Sequence, residues 1–172
     1  MYRRFKQYLA LQPSERTLLL RAFVSLAVAQ ALLRVAGYQR LVRWARRRGP
    51  GQYQGADALG YACELAHWIA VASRHHVVPA RCLQRSLVLY HWLWRAGLPA
   101  DLRLGVRREC GALQAHAWVE YRGQVVNDQA TAVARFVPLT GSGTLPASPA
   151  IGSAPPRQER SPGDELGGVQ WL

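Results

Sequence analysis

The chain has 172 residues, 49% of them hydrophobic and 19% charged, with six Trp and seven Tyr. This composition predicts a single packed domain and excludes an intrinsically disordered protein. The three cysteines are odd in number and lack a C-x-x-C spacing, so they indicate neither a disulfide framework nor a zinc ribbon and favour a reducing cytoplasm.

The net charge of +12 is concentrated near the N-terminus, where residues 1–50 hold eleven Lys and Arg and only one acidic residue, Glu15. Such a field attracts nucleic acid, anionic lipid or acidic peptide. No helix-turn-helix or RNA-binding signature accompanies the basic residues, and few aromatic residues are interleaved with them. We therefore expect no nucleic-acid partner.

Two helices are predicted in the N-terminal segment. Pro13-Ser14-Glu15 is typical of a helix start with Ser14 as N-cap, and Leu18 to Val35 continue without Gly or Pro. A second, basic amphipathic stretch runs from Tyr38 to Arg48 and ends at Gly49-Pro50-Gly51. We expect this stretch to pack by its apolar side, with a peripheral membrane contact as the alternative.

The apolar stretch from Leu18 to Gly37 imitates a targeting segment. Because Arg21 and Arg34 leave only the residues between them uninterrupted, it is shorter than the ~20 residues that a membrane span needs. The expected localisation is therefore cytoplasmic.

A third helix is predicted from Ala56 to Ser73. Its predicted core-facing residues are Leu59, Cys63, Ala66 and Ala70. Cys63 and His67 stand four residues apart and could share a metal ion, but further ligands at helical spacing are missing. We interpret both as buried or half-buried packing residues and expect no metal site and no cofactor.

A fourth helix opens at Cys82, after a break at Val77-Val78-Pro79, and runs to Gly97-Leu98-Pro99. Alternating residues then predict short strands over 102–107, 115–121 and 124–128. The fold class is therefore α+β, with N-terminal helices followed by an antiparallel sheet.

Three segments are expected along the chain: a basic helical segment over 1–50, a catalytic core over 51–139 and a flexible Pro/Gly/Ser-rich tail over 140–172. Within the tail, only residues 169–172 are expected to be able to dock.

Cys82 is the candidate nucleophile. A cysteine at a helix N-terminus meets unpaired N–H groups and the positive end of the helix dipole, which favour the reactive thiolate. Arg81 and Arg85 add positive charge beside it. Cys63 and Cys110 are interpreted as small buried hydrophobic residues.

The candidate base and orienting carboxylate are His116 and Asp128, on two strands joined by a hairpin. A three-residue loop with Gly123 in a left-handed bulge pairs Glu120 with Gln124, so that His116 faces Asp128. A two-residue loop shifts the register by one and sends the two side chains to opposite faces. The hypothesis of a catalytic triad therefore predicts the bulged loop.

In the expected mechanism His116 takes the Cys82 proton, the thiolate attacks a peptide carbonyl, and Asp128 fixes the imidazole. The backbone N–H of Cys82 is a natural oxyanion donor, and Gln84 is a candidate second donor. Trp118 and Glu120 share the His116 face and either line the substrate cleft or cover the sheet. The other histidines, His75, His76 and His91, are interpreted as solvated or packing residues.

Several stretches in residues 80–139 resemble the lasso-peptide leader peptidases, a family whose fold is similar to the transglutaminase-like and papain-like cysteine protease core. The matching stretches are Arg81-Cys82-Leu83-Gln84-Arg85-Ser86-Leu87, residues 97–107, Ala115-His116-Ala117-Trp118-Val119-Glu120, Val126-Asn127-Asp128 and residues 134–139. The residues near Leu11 to Arg16 are also similar to the N-terminal region of that family. Their order and spacing make the resemblance more specific than any one stretch.

The resemblance implies a cysteine peptidase that removes the leader from a ribosomally synthesised lasso-peptide precursor. Cys82, His116 and Asp128 match the catalytic positions of the family. No strand-rich segment precedes residue 50, so the resemblance implies a stand-alone form without a fused leader-recognition domain. Its implied partners are the precursor peptide, a separate leader-recognition protein and an ATP-dependent lasso cyclase, and the basic N-terminal segment is a hypothetical docking surface for one of them.

Two alternatives remain. With an amine in place of water, the same thioester gives a transglutaminase-like acyl transferase. A non-catalytic adaptor would use the basic helices to bind a peptide or a membrane surface and would tolerate loss of the Cys82 thiol.

Overall fold

Helices come first and a sheet follows in the computed structural model, which describes residues 12–45, 51–75, 80–109, 112–139 and 170–171. This order confirms the predicted α+β class. The predictions for Cys110 and His76, and most of those for the 140–172 tail, lie outside the described residues.

Helix α1 spans Pro13–Ala45 and is two helices joined at Gly37, whose φ of 74° and ψ of 173° are not helical. The two predicted N-terminal helices are therefore present. The helix begins two residues earlier than a Ser14 N-cap predicts, and the backbone N–H of Gln12 donates to the Glu15 carboxylate at 2.7 Å. Ser14 is consequently inside the first turn, and the prediction that it is the N-cap is wrong.

Residues 13–37 of α1 are long and apolar enough to cross a membrane, a property that core helices and signal sequences share. Only 22% of its most apolar window is buried. The predicted cytoplasmic localisation stays a prediction.

Helix α2 spans Ala58–His75, and the Asp57 carboxylate accepts the Gly60 N–H at 2.7 Å in its first turn. Its buried face is rotated from the predicted one and consists of Ala62, Leu65, Ala66, Trp68, Ile69 and Ala72. Cys63 and His67 lie on the exposed side. The prediction that they are buried is wrong, because the larger side chains of Leu65, Trp68 and Ile69 fill the core-facing positions instead.

Helix α3 spans Cys82–Arg95 and is the centre of the core. Eleven of its residues are buried, from Cys82 to Leu93. It packs between α1 and α2 on one side and the sheet on the other. Helix α1 contributes to the same buried cluster through Leu26, Ala29 and Leu41, so the basic N-terminal segment packs on the catalytic-core segment.

The sheet has the order β3-β2-β1-β4, with antiparallel pairing along that path. Its strands are β1 (Asp101–Glu109), β2 (Ala112–Tyr121), β3 (Gln124–Val125) and β4 (Val137–Pro138), and the short helix α4 (Ala130–Val133) precedes β4. A two-residue strand, β5 (Gln170–Trp171), pairs in parallel with Gln114 and Ala115 of β2. These two residues belong to the part of the predicted tail that was expected to be able to dock.

The β2–β3 hairpin has a two-residue loop and not the predicted three-residue bulge. Tyr121 pairs with Gln124 and Glu120 with Val125, while Arg122 and Gly123 have φ values of 51° and 78°. Positive φ at both positions is the signature of a type I′ turn, whose twist matches that of the flanking strands. The prediction placed left-handed backbone at Gly123, whereas Arg122 also has a positive φ.

Replacing Arg122 by Asn tests the turn type. Asn tolerates positive φ better than Arg or Ala does. The free energy of unfolding is therefore expected to be ~0.5–1 kcal/mol higher in Arg122→Asn than in Arg122→Ala. Both variants lose the stacking of the guanidinium on Tyr121, so Ala is the matched control. Urea unfolding measures the difference, and equal stabilities of the two variants would favour the bulged loop.

Candidate active site

Cys82 is the first residue of α3, as the sequence predicts. Arg81 precedes it in extended conformation, with φ −76° and ψ 171°, and the backbone N–H of Arg81 donates to Gln84 Oε1 at 2.9 Å. The N–H groups of the first helical turn have no partner within the helix. Cys82 is 2% exposed, so its sulfur lies out of bulk water at the positive end of the helix.

His116 lies in the middle of β2, and its Nε2 is 2.6 Å from Asp128 Oδ2. His116 is 8% exposed, whereas the Asp128 side chain is 27% exposed. The second ring nitrogen, Nδ1, is buried and has no hydrogen-bond partner among the described residues. Because Nε2 is bonded to Asp128, Nδ1 is the nitrogen left to exchange a proton with the Cys82 sulfur, and the Cys82 thiol contributes to the raised pKa of His116.

Asp128 reaches His116 because the backbone leaves the sheet before it. The last backbone bond of the hairpin runs from the Val126 N–H to the Val119 carbonyl at 3.0 Å. The Val119 N–H then donates to Asn127 Oδ1 at 2.8 Å, so that a side chain takes the place of the next backbone acceptor. Strand alternation stops applying once pairing ends, and Asp128 turns toward His116 despite the two-residue loop. The requirement for a bulged loop is therefore wrong.

Aromatic rings hold the imidazole in place. The Trp118 ring is stacked 6.2 Å from the His116 ring, and the Phe136 ring lies 5.1 Å from it. A Cβ at Gly105 would come within 2.9 Å of both Trp118 and Phe136, so glycine lets these two side chains close over the sheet.

The protonation state of His116 depends first on Asp128. The hydrogen bond to the Asp128 carboxylate, followed by the interaction with the Cys82 thiol, raises the pKa of His116 to about 9 against the opposing effect of burial. The hydrogen bond from His116 lowers the pKa of Asp128, and the Gln129 N–H and the charge of Arg85 lower it further. At neutral pH the pair is therefore an imidazolium and a carboxylate.

A buried network connects the backbones of all three candidate residues. Ser86, one helical turn after Cys82, donates from Oγ to the Ala117 carbonyl at 2.8 Å. Ser86 Oγ also accepts from Asn127 Nδ2 at 2.9 Å. Ala117 follows His116 and Asn127 precedes Asp128, so one fully buried hydroxyl relates the positions of nucleophile, base and carboxylate.

Sequence reasoning gave no role to Ser86 or Asn127. The available signal was spacing: Ser86 shares a helix face with Cys82 at i+4, and a polar residue there must find a partner when that face is buried. The partner itself depends on how the helix docks on the sheet, which the sequence does not display.

The remaining predicted site residues have structural partners. Gln84 is 5% exposed, and its Nε2 donates to Gln30 Oε1 on α1 at 3.0 Å, so its amide joins two helices. Trp118 is 3% exposed and donates to Glu120 Oε1 at 2.8 Å, while Glu120 also pairs with Arg103. Their substrate roles stay predictions, and the described contacts fit packing and positioning.

The other candidate positions stay outside the site. His91 is buried, stacked at 4.2 Å on Trp44, and within 3.3 Å of the Ala45 carbonyl, which confirms a packing role. His75 is exposed at the end of α2. The described residues contain no group of three or more His, Cys, Asp or Glu that could hold a metal ion.

A family described as the transglutaminase-like superfamily matches residues 23–141, which include Cys82, His116 and Asp128. The match extends from within α1 through β4. Searches of curated proteins and of solved structures find no significant match.

Asp128→Asn is expected to lower the pKa of His116 from about 9 toward 6.5, because the largest cause of the elevation is the hydrogen bond to the carboxylate. Cys82→Ala removes the second cause and should lower the pKa by less. Titration of labelled histidine side chains by NMR measures both shifts, with His116→Gln assigning the resonance. A larger shift in Cys82→Ala would contradict the order of these causes.

The His116–Asp128 pair also makes folding stability depend on pH. The raised pKa of His116 contributes stability that is fully present below pH 6.5 and is lost as pH rises through about 9. The lowered pKa of Asp128 contributes stability above pH 3.8 that is lost as pH falls. The decrease in the free energy of unfolding caused by Asp128→Asn should thus be largest between about pH 3.8 and pH 6.5, where both contributions are present, and should shrink at alkaline pH.

Urea unfolding at about pH 6 and pH 10 measures that change. The matched control is Glu109→Gln, which removes an exposed carboxylate that pairs with Arg107, and its effect should be similar at both pH values. A constant effect of Asp128→Asn across the range would contradict the elevated pKa of His116.

Ser86→Ala and Asn127→Ala are each expected to lower the free energy of unfolding by ~1–3 kcal/mol, because each leaves a buried polar group without its partner. The double variant should lose less than the sum of the single losses, since the two residues share one hydrogen bond. Denaturant unfolding tests this. Ser73→Ala, which removes a hydroxyl that donates to the Ala70 carbonyl of its own helix, should cost under ~0.5 kcal/mol.

Proposed function

The chain belongs to the transglutaminase-like superfamily, and on that premise we propose that it is a cysteine peptidase that removes the leader from a ribosomally synthesised lasso-peptide precursor. The superfamily includes cysteine proteases and acyltransferases, whose enzymes typically use Cys, His and Asp. The observation that carries the proposal is the buried Cys82–His116–Asp128 arrangement, with its 2.6 Å hydrogen bond. The motifs around these residues supply the choice of substrate.

Catalysis starts from a ring that already holds a proton. Because the pKa of His116 is about 9, the imidazolium stands beside Cys82 at neutral pH, and the sulfur attacks the peptide carbonyl as thiolate. His116 then gives its proton to the departing amine as the carbon–nitrogen bond breaks, which leaves a thioester. Water, deprotonated by the neutral imidazole, hydrolyses the thioester and restores the thiolate.

The oxyanion of the tetrahedral intermediate needs donors near the nucleophile. We assign the first to the backbone N–H of Cys82, because the first residue of a helix has no intrahelical acceptor for its N–H. Gln84 stays a candidate second donor, and it would have to exchange its bond with Gln30 for one with substrate.

The proposed partners are the precursor peptide, a separate leader-recognition protein and an ATP-dependent lasso cyclase. The reaction is proposed to take place in the cytoplasm and to need no cofactor, since attack, proton transfer and hydrolysis are supplied by side chains and water.

Mass spectrometry of a candidate precursor, incubated with this protein and its leader-recognition partner, tests the proposal. The wild type should release the leader, and Cys82→Ala should lower the cleavage rate by at least ~10³-fold because the nucleophile is lost. Cys63→Ala is the matched control, since Cys63 is an exposed thiol on α2.

The product masses separate the alternatives. Hydrolysis adds water across the cleaved bond, whereas transfer to an amine gives a product joined to that amine. Equal processing by wild type and Cys82→Ala would contradict the peptidase and would favour the non-catalytic adaptor.

A further inference from the structure

A groove lies between α1 and the C-terminal half of α3, away from the catalytic residues. Its volume is about 390 Å³. Leu20 and Val24 of α1 form one wall, Trp92 of α3 forms the floor, and Arg21 and Arg95 flank the opening. The catalytic mechanism proposed above does not use these residues.

The wall of the groove is unusually apolar for a surface. Leu20 and Val24 are 60% and 56% exposed, and Val28, one turn further along α1, is 38% exposed. These positions follow at intervals of four and therefore form a stripe on the outer side of the helix. The outer face of a soluble helix is ordinarily polar, so this stripe is typical of a surface that another segment covers.

The charge around the groove has one sign. No acidic residue lines it. Arg21 holds its guanidinium 4.9 Å from the centre of the Trp92 ring, and neither Arg21 nor Arg95 forms an ion pair among the described residues. Two arginines beside an apolar wall complement a segment that carries apolar side chains on one face and carboxylates beside them.

The concave shape favours a peptide over a bilayer. A lipid surface is contacted by residues that share one outward plane, whereas the floor of this groove is Trp92, which is 6% exposed. Side chains that project from a helix can reach such a floor.

The stripe leads toward the catalytic end of the molecule. Trp92 Nε1 donates to Ser25 Oγ at 3.1 Å and Gln84 Nε2 to Gln30 Oε1 at 3.0 Å, so α1 and α3 run antiparallel. Residues 20–28 of α1 therefore point toward the end of α3 that carries Cys82. The groove and Cys82 are separated by about 15 Å along α3, given a rise of ~1.5 Å per residue, and roughly five extended residues span that distance.

We propose that this groove is an exosite for an acidic amphipathic segment of the peptide substrate. The segment binds in the groove while a peptide bond of the substrate, about five residues away along its chain, reaches Cys82. The proposal rests on the proposed function, because it assumes that Cys82 acts on a peptide. It adds a property of the substrate that the catalytic residues do not specify: apolar side chains at helical spacing, flanked by Asp or Glu.

Binding is measured first, with the full-length Cys82→Ala variant so that no reaction interferes. The probe is a fluorescein-labelled helical peptide with Leu at i, i+3, i+4 and i+7 and Glu beside them, and a second peptide has Lys in place of every Glu. Fluorescence anisotropy should show micromolar binding of the Glu peptide, weakened by salt, and at least ~10-fold weaker binding of the Lys peptide.

Two variants place the bound peptide. Val24→Asp, which places a carboxylate in the apolar wall, should weaken binding of the Glu peptide by ~10-fold or more. Arg21→Glu, which replaces a positive charge by a negative one, should weaken it by ~5-fold or more. Arg108→Glu on β1 is the matched control, because it changes the net charge as much as Arg21→Glu does but does not line the groove. It should change the affinity for the Glu peptide by less than ~2-fold.

Reach to the nucleophile is measured with the wild-type protein. The Glu peptide is extended by about five Gly/Ser residues that end in an iodoacetyl group, at either terminus. Tethering should accelerate alkylation of Cys82 by ~10-fold or more over free iodoacetamide in at least one orientation, and omission of the spacer should remove the gain. Digestion and mass spectrometry identify the alkylated cysteine.

The outcomes separate this proposal from the proposed function. Equal affinity for the Glu and Lys peptides, unchanged affinity in Val24→Asp, or tighter binding to anionic vesicles than to the Glu peptide would overturn the exosite. A Cys82 that resists free iodoacetamide would count against the proposed nucleophile and would leave the anisotropy result to decide the exosite alone.

Discussion

The Ser86 hydroxyl is the contact on which the geometry of the site depends. It joins the Ala117 carbonyl of β2 to the Asn127 amide, and it does so from the helix that begins at Cys82. A fully buried hydroxyl with two partners defines the position of helix against sheet more narrowly than apolar packing does, since a hydrogen bond restricts both distance and angle. Cys82, His116 and Asp128, the three candidate catalytic residues, are therefore positioned relative to one another by a group outside the proposed triad.

This arrangement explains how a short sheet holds a charged pair. His116 is buried, and an imidazolium in that place would be unfavourable without a carboxylate beside it. Asp128 supplies the compensating charge from the rim of the sheet, where its own side chain keeps contact with solvent and with the Gln129 N–H. Trp118 and Phe136 pack beside the imidazole ring, and they can approach because residue 105 is glycine. Pairing with Asp128 therefore favours the protonated imidazole, against the opposing effect of burial.

Much of this could be predicted from sequence because it depends on local signals. The break before Cys82, the helix that follows it and the alternating strands all come from periodicity and from Gly and Pro. The failures share a different cause. The hairpin register followed a strand-parity rule that holds only while pairing continues, and Asn127 ends the pairing with its side chain. The burial of Cys63 was judged by spacing alone, whereas the larger residues of α2 decide which face packs. Tertiary contacts set both outcomes, and a single sequence does not show them.

The most direct test of the account compares Cys82 with Cys63 in the same molecule. Cys63 is exposed and Cys82 is 2% exposed, so accessibility alone predicts that iodoacetamide reacts faster with Cys63. If Cys82 is the nucleophile paired with His116, it should react faster than Cys63 at neutral pH despite its burial, and His116→Gln should reverse that order. Peptide mass spectrometry after timed alkylation gives both rates. Faster reaction of Cys63 in the wild type, or an order unchanged by His116→Gln, would contradict the catalytic triad.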